Sequence, residues 1–216
     1  NNAIIIKKKR QNYILFISQF TTPKKNLNDI FFKNKNTAVT YSKFYNSDIT
    51  VLEKLNSFCN KKNIKLFIKL RNSRSSEEKE FYYKNLSFDN VNFKSTINKV
   101  QDYQILDAAR AIVFVDSFMG YEAFARGNKI AAFSVRGKII KTCNANFADN
   151  QLPNDGFFWT NKNSQRKLST IMNRVLAASN SDWNVIKKKL ENKIILHDKD
   201  NNEFKKLIKK ILSNKI

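Results

Sequence analysis

The chain has 216 residues, 42% of them hydrophobic, and a formal net charge of +22. Length and apolar content suit one large domain or two small ones with a real core, and they exclude wholesale disorder. No run approaches the ~18 apolar residues of a membrane span, and Ile4-Ile5-Ile6 is too short, with its charges on the wrong side, for a secretory signal.

Two sources of the charge are open. Lys far outnumbers Arg, and Asn, Ile and Phe are abundant, which an A/T-rich genome produces without selection for a partner. The other source is attraction to an anion: nucleic acid, acidic lipid or a phosphorylated substrate. The first residue is Asn rather than Met, which reads as a piece of a longer protein. Cys59 and Cys143 have no metal-ligand spacing and are expected as free thiols in a reducing compartment.

The basic segment 1–10 reads as a tail or an extra edge segment. Tyr13 to Phe20 is a strand buried on both faces, stopped by Thr21-Thr22-Pro23. Ser47-Asp48 reads as the cap of a helix carrying Ile49, Leu52, Leu55 and Phe58. Ile64 to Leu70 is the next strand. Ser75 and Glu78 have capping-box spacing for the helix after it. A short strand at Val91 to Phe93 precedes a helix over Asp102–Arg110. A strand over Ala111–Val115 leads into a helix over Met119–Arg126, with Gly127 as its C-cap. Another strand spans Lys129–Ser134. Val135 to Asp155 is expected as one long loop, and Gly156 to Thr160 as the last strand. Helical patterns over Ser164–Ser179, Asp182–Asn192 and Asn202–Leu212 close the chain.

Strands too apolar to be half exposed alternate with helices. That order predicts an α/β domain over 11–216, with a parallel sheet and helices on both faces. Ligands of such sheets sit beyond the carboxyl ends of the strands. The residues there are small and polar, or Arg: Ser18 and Gln19, Arg71 and Arg74, Ser95 and Thr96, Asp116 and Ser117, Ser134 and Arg136. Such a rim suits a phosphorylated, hydroxyl-rich ligand.

Ser117 opens a helix with no acid in its first three positions, so its unpaired N–H groups form a candidate anion site. Gly120 would let a ligand approach the backbone, and Glu122 could accept two ribose hydroxyls. The bland alternative is a plain cap with Glu122 paired to Arg126 at i,i+4. Arg71 and Arg74 offer guanidinium forks for phosphate, although Arg74 could equally pair with Glu77 or Glu78. His197, the single histidine, is expected at the surface. No Walker glycine loop and no GxGxxG fingerprint occurs.

The stretch YQILDAARAIVFVDSFMGYEAFARGNKIAAFS, Tyr103 to Ser134, resembles the nucleotide-sugar donor-binding half of GT-B-fold glycosyltransferases. The flavour is that of bacterial surface and capsular polysaccharide biosynthesis proteins. Ser117, Gly120, Glu122, Ala123 and Gly127 occupy the Ser/Thr-x-x-Gly-x-Glu-Ala turn and the glycine after it. GFFWTN from Gly156 to Asn161 and the Asp182-Trp183 pair also resemble that family, so the likeness covers Ile64 to Trp183. It implies a Rossmann-like, single GT-B-type half that holds a donor phosphate at Ser117 to Gly120 and a ribose at Glu122. It implies no cofactor and no metal, the nucleotide-sugar being a substrate. The family often carries a Lys-x-His-Pro segment where this chain has IKLRNSR, so only a general anion-binding role passes to Arg71 and Arg74.

The resemblance implies a transferase in glycoconjugate biosynthesis, or its donor-binding domain. The catalytic residue is unassigned, because the general base would come from a missing N-terminal domain. Its partners would be a nucleotide-sugar and a glycan or lipid-linked acceptor. It would be cytoplasmic, with an anionic membrane surface at the inner face as a further partner. A nucleotide-sugar epimerase of the same half-fold is the alternative. A non-enzymatic basic module is the other, but the basic residues are dispersed and no stacking platform for nucleic acid appears.

Overall fold

The structure is a computed structural model describing residues 10–21, 26–33, 38–71, 75–89, 91–139, 147–150, 152–194 and 202–213. Arg74, Cys143, His197 and the basic segment up to residue 9 lie outside the described residues.

One sheet organises the molecule. In chain order its strands are β1 (Tyr13–Ile17), β4 (Lys65–Lys69), β5 (Asn92–Lys94), β6 (Ala111–Phe114), β7 (Ile130–Phe133) and β8 (Trp159–Thr160). In space the order is β5-β4-β1-β6-β7-β8, and every pairing is parallel. Counted within the sheet this is 3-2-1-4-5-6, the Rossmann-like order. β1 lies centrally, with Leu15 opposite both Phe67 of β4 and Ile112 of β6. All five of its side chains are buried, as expected where helices cover both faces.

The helices are α1 (Tyr41–Lys62), α2 (Ser75–Asn85), α3 (Lys99–Ala108), α4 (Phe118–Ala125), α5 (Arg136–Ile139), α6 (Gln165–Ala177), α7 (Asn180–Ile194) and α8 (Asn202–Ser213). α1 and α6 each bury an apolar stripe. Leu168, Ile171, Met172 and Val175 of α6 fall at i, i+3, i+4 and i+7 and are all buried. α7 is anchored through Trp183, whose ring meets Phe124 and Phe158. Gly127 takes a φ of +86° just past the end of α4, the backbone position where glycine carries no Cβ penalty.

Three expectations change. α1 begins at Tyr41, capped by the Thr40 side chain, so Ser47 and Asp48 lie inside the helix. Their side chains face inward and are bonded there, which removes the need to read them as a cap. An antiparallel hairpin, β2 (Ile30–Lys33) with β3 (Ala38–Thr40), occupies a stretch to which the sequence pattern assigned nothing. Part of the expected loop from Val135 to Asp155 is ordered: α5 starts it, and a 3-10 turn at Phe147–Asn150 packs Phe147 on Tyr121 and Trp159.

β8 is short because Trp159 folds over the turn that precedes it. Its Nε1 donates to the Pro153 carbonyl at 2.8 Å, and a Cβ on Gly156 would lie 2.1 Å from its ring. Gly156→Ala should therefore displace the indole and lower stability by about 1–3 kcal/mol, the usual cost of overpacking. Denaturant unfolding measures it, and an unchanged midpoint would contradict the packing.

Candidate functional site at the carboxyl edge

The sheet reverses its winding between β1 and β6, so the chains leaving those strands diverge and open a crevice. The crevice is about 350 Å³ and is lined by Ser18, Gln19, Lys69, Arg71, Ser117 and Met119, with Phe31 and Phe44 as an apolar wall. Four candidates from separate parts of the sequence, Ser18, Gln19, Arg71 and Ser117, thus share one wall system.

Ser117 is buried and stands at the N-cap of α4, yet its side chain makes no cap hydrogen bond. The Gly120 and Tyr121 N–H groups reach the Ser117 carbonyl at 2.9 and 3.3 Å. The N–H groups of Phe118 and Met119 are the unpaired donors that a helix start leaves, and no acid occupies the first turn. Gly120 has a packing role. A Cβ there would meet the Phe114 ring at 2.4 Å, so its bare backbone faces the core. Glu122 is exposed one turn in and does not line the crevice. Its Oε2 accepts from the Tyr103 hydroxyl at 3.2 Å. Arg126, considered above as its partner, binds Asp107 through Nε and Nη2 and stacks on the Tyr103 ring.

Arg71 is exposed at the end of β4. Its Nη1 donates to the Thr21 hydroxyl at 2.8 Å and the Phe20 carbonyl at 3.3 Å. It therefore bridges the chain ends of β4 and β1 across the crevice mouth.

Below the crevice lies a layer of buried polar groups, in which Arg136 and Thr96, expected on the ligand-facing rim, are turned inward onto protein partners. Arg136 follows β7 and is 1% exposed. Its Nε donates to Ser47 Oγ at 3.1 Å, Nη1 to Gln19 Oε1, and Nη2 to Asp48 Oδ1 at 2.6 Å. Asp116 lies 3.8 Å from Nη1, and the guanidinium stacks 3.9 Å over Phe44. Lys69 pairs with Asp102 at 2.7 Å, and Thr96 bonds the same oxygen. Ser18 Oγ accepts from the Tyr82 hydroxyl at 2.7 Å and the Phe20 N–H at 3.1 Å. Glu78, expected as a capping-box acid, is fully buried, and its Oε2 accepts the Arg71 N–H at 2.8 Å.

One signal could have found this layer. Asp48 falls in helical register with Leu52, Leu55 and Cys59, so a carboxylate sits on a core-facing stripe. Lys69 likewise interrupts an apolar parallel strand. A buried charge needs a buried partner.

The family model described as "putative O-antigen biosynthesis protein" matches residues 1–212. No curated protein matches the chain in sequence. Among solved structures, the UDP-GlcNAc 2-epimerase of Methanocaldococcus jannaschii in complex with UDP-GlcNAc and UDP is similar at 10% identity and a TM-score of 0.47, over 85% of this chain and 46% of that one. TarM is similar at 16% identity and a TM-score of 0.49, over 94% of this chain and 36% of that one. The chain thus spans less than half the length of these structures.

Removal from water pushes the Glu78 carboxyl up to about 7; the Ser18 and Arg71 hydrogen bonds and the Lys69 and Arg71 charges oppose this. A carboxyl raised above its unfolded value binds its proton more tightly when folded. Its favourable contribution is complete below pH ~4.5 and is lost as pH rises through 7. Glu78→Gln should therefore match the native chain near pH 4 and exceed it by about 2–3 kcal/mol at pH 8. Urea unfolding at the two pH values measures this, and an equal difference at both would remove the titration from the account.

Proposed function

For a chain that belongs to the O-antigen biosynthesis family, whose model spans residues 1–212, we propose the role of nucleotide-sugar donor-binding half in a glycosyltransferase of surface-polysaccharide assembly. The observation that supports it is the convergence of Ser18, Gln19, Arg71 and Ser117 on one crevice at the switch point of a parallel sheet. Donor phosphates fit against the uncapped start of α4 and the Arg71 guanidinium, where backbone N–H groups and a planar cation meet. Serine hydroxyls suit the remaining phosphate oxygens. Glu122 is the acceptor available to ribose hydroxyls, provided the ligand extends along α4 past the crevice.

In the reaction, an acceptor hydroxyl attacks the anomeric carbon. A new C–O bond forms as the bond to the diphosphate breaks, and that electron pair leaves on the phosphate. Groups that bind this oxygen most strongly when its charge is largest lower the barrier. Arg71 and the α4 N–H groups take that part. The acceptor proton goes to a base outside the residues assigned here. GT-B relatives place such a base in the other domain, and this chain has the length of one.

Nucleoside diphosphates should raise the melting temperature, with the preferred base found by comparing UDP, GDP and CDP. Arg71→Ala should weaken diphosphate binding by at least ~10-fold, as loss of a charge-assisted contact does. Glu122→Ala should cost about 1–3 kcal/mol of nucleotide binding and leave inorganic pyrophosphate binding unchanged. Absence of any nucleotide binding to the folded chain would defeat the reading. Epimerisation of a bound nucleotide-sugar with no acceptor present would replace transfer by epimerase chemistry on the same crevice.

A further inference from the structure

α8 stands apart from the packing that holds every other long helix. Phe204, Leu207, Ile208, Ile211 and Leu212 are all exposed, from 39% at Ile208 to 62% at Phe204 and Leu212. Among the described residues, none of α8 joins the core cluster or packs against it. The sequence pattern allowed this helix to close the domain with its apolar face on the sheet or on a missing domain, and the structure overturns the first of these placements.

The five apolar residues fall at i, i+3, i+4, i+7 and i+8 and cover about 140° of the circumference. Lys205, Lys206, Lys209 and Lys210 lie on the remaining arc, with Lys205 and Lys210 at its two edges beside the apolar face. We propose that α8 lies in the plane of an anionic lipid bilayer, with its apolar face in the acyl boundary and its lysines among the headgroup phosphates.

Three observations select this occupant. Twelve residues make a helix of about 18 Å, too short to cross the ~30 Å hydrocarbon layer, and no described helix is long and apolar enough to do so. Lysine at the edges of an apolar stripe suits a phosphate plane, whereas protein interfaces exclude lysine from the zone they bury. Nucleic acid would use the lysines and leave five large apolar side chains in water. A helix this short gains little stability by itself, so a surface that covers its apolar face also supports its fold. The inference does not depend on nucleotide binding, and failure of either leaves the other standing.

Co-sedimentation of the full chain with vesicles tests it. Vesicles of phosphatidylglycerol and phosphatidylcholine should bind at low salt. Pure phosphatidylcholine, or 0.5 M salt, should weaken binding at least tenfold. Leu207→Glu with Ile211→Glu alters only exposed positions. This variant should keep the native melting temperature and lose at least tenfold in vesicle binding. Leu207→Ser with Ile211→Ser is the milder pair if the first disturbs folding. Lys205→Gln, Lys209→Gln and Lys210→Gln together should remove the salt dependence. The proposal fails if the native chain ignores acidic vesicles, or if the glutamate variant binds them as the native chain does, since the charge of the body would then suffice. It fails equally if the same variant converts a dimer to a monomer in size-exclusion chromatography, which would assign the face to a second copy.

Discussion

A guanidinium held out of water joins three parts of the chain that parallel-sheet topology alone leaves independent. Arg136 leaves the end of β7, Gln19 the end of β1, and Ser47 and Asp48 the middle of α1. A lone cation buried there would be costly, because protein replaces only part of the hydration it loses. The cost is offset only while all three partners stay in place. The crevice wall that carries Gln19 and Phe44 is therefore fixed by the requirement that Arg136 be fully coordinated, rather than by apolar packing, which tolerates sliding.

The same logic repeats beneath the other wall. Lys69 is paired with Asp102, and one oxygen of Glu78 accepts the Arg71 N–H. Each ties a strand end to a helix outside it. Buried polar contacts such as the Lys69–Asp102 ion pair add little net stability compared with apolar substitutes, but they are intolerant of wrong partners. Here they sit where positional precision has a use, directly under the carboxyl ends of the strands. The open mouth above them carries Arg71 and the unpaired α4 N–H groups, so a cationic edge rests on a neutralised floor.

Charge and apolar surface then divide the molecule by role. The +22 is dispersed along the sequence, in keeping with a composition rich in Lys throughout. Among the described residues, α8 joins lysines to a continuous apolar stripe outside the core. The exposed Phe118 and Ile97, by contrast, stand near the carboxyl edge, on the rim of the crevice side of the sheet.

Periodicity was enough for the parallel α/β class, for all six sheet strands and for the placement of α4. Each depends on local pattern: apolar runs of strand length, helical spacing, and a glycine where φ must be positive. Ser18, Gln19, Arg71 and Ser117 were legible for a related reason, since any residue just past a parallel strand must lie at the carboxyl edge. What lay beyond the sequence was partnership. Asp48 resembled a cap because Ser-Asp before an apolar stripe is the usual signature of one, and only the fold brings Arg136 to it from 88 residues away. Gly120 resembled a site for ligand approach, and only the fold sets the Phe114 ring against it. The β2–β3 hairpin carries no turn signal within its strands, and its Phe31 finds Tyr41 and Phe44 through tertiary contact alone. Local sequence determines which way a side chain faces, because backbone period is a local property. Which charge meets it depends on long-range topology, and that is where tertiary structure decided.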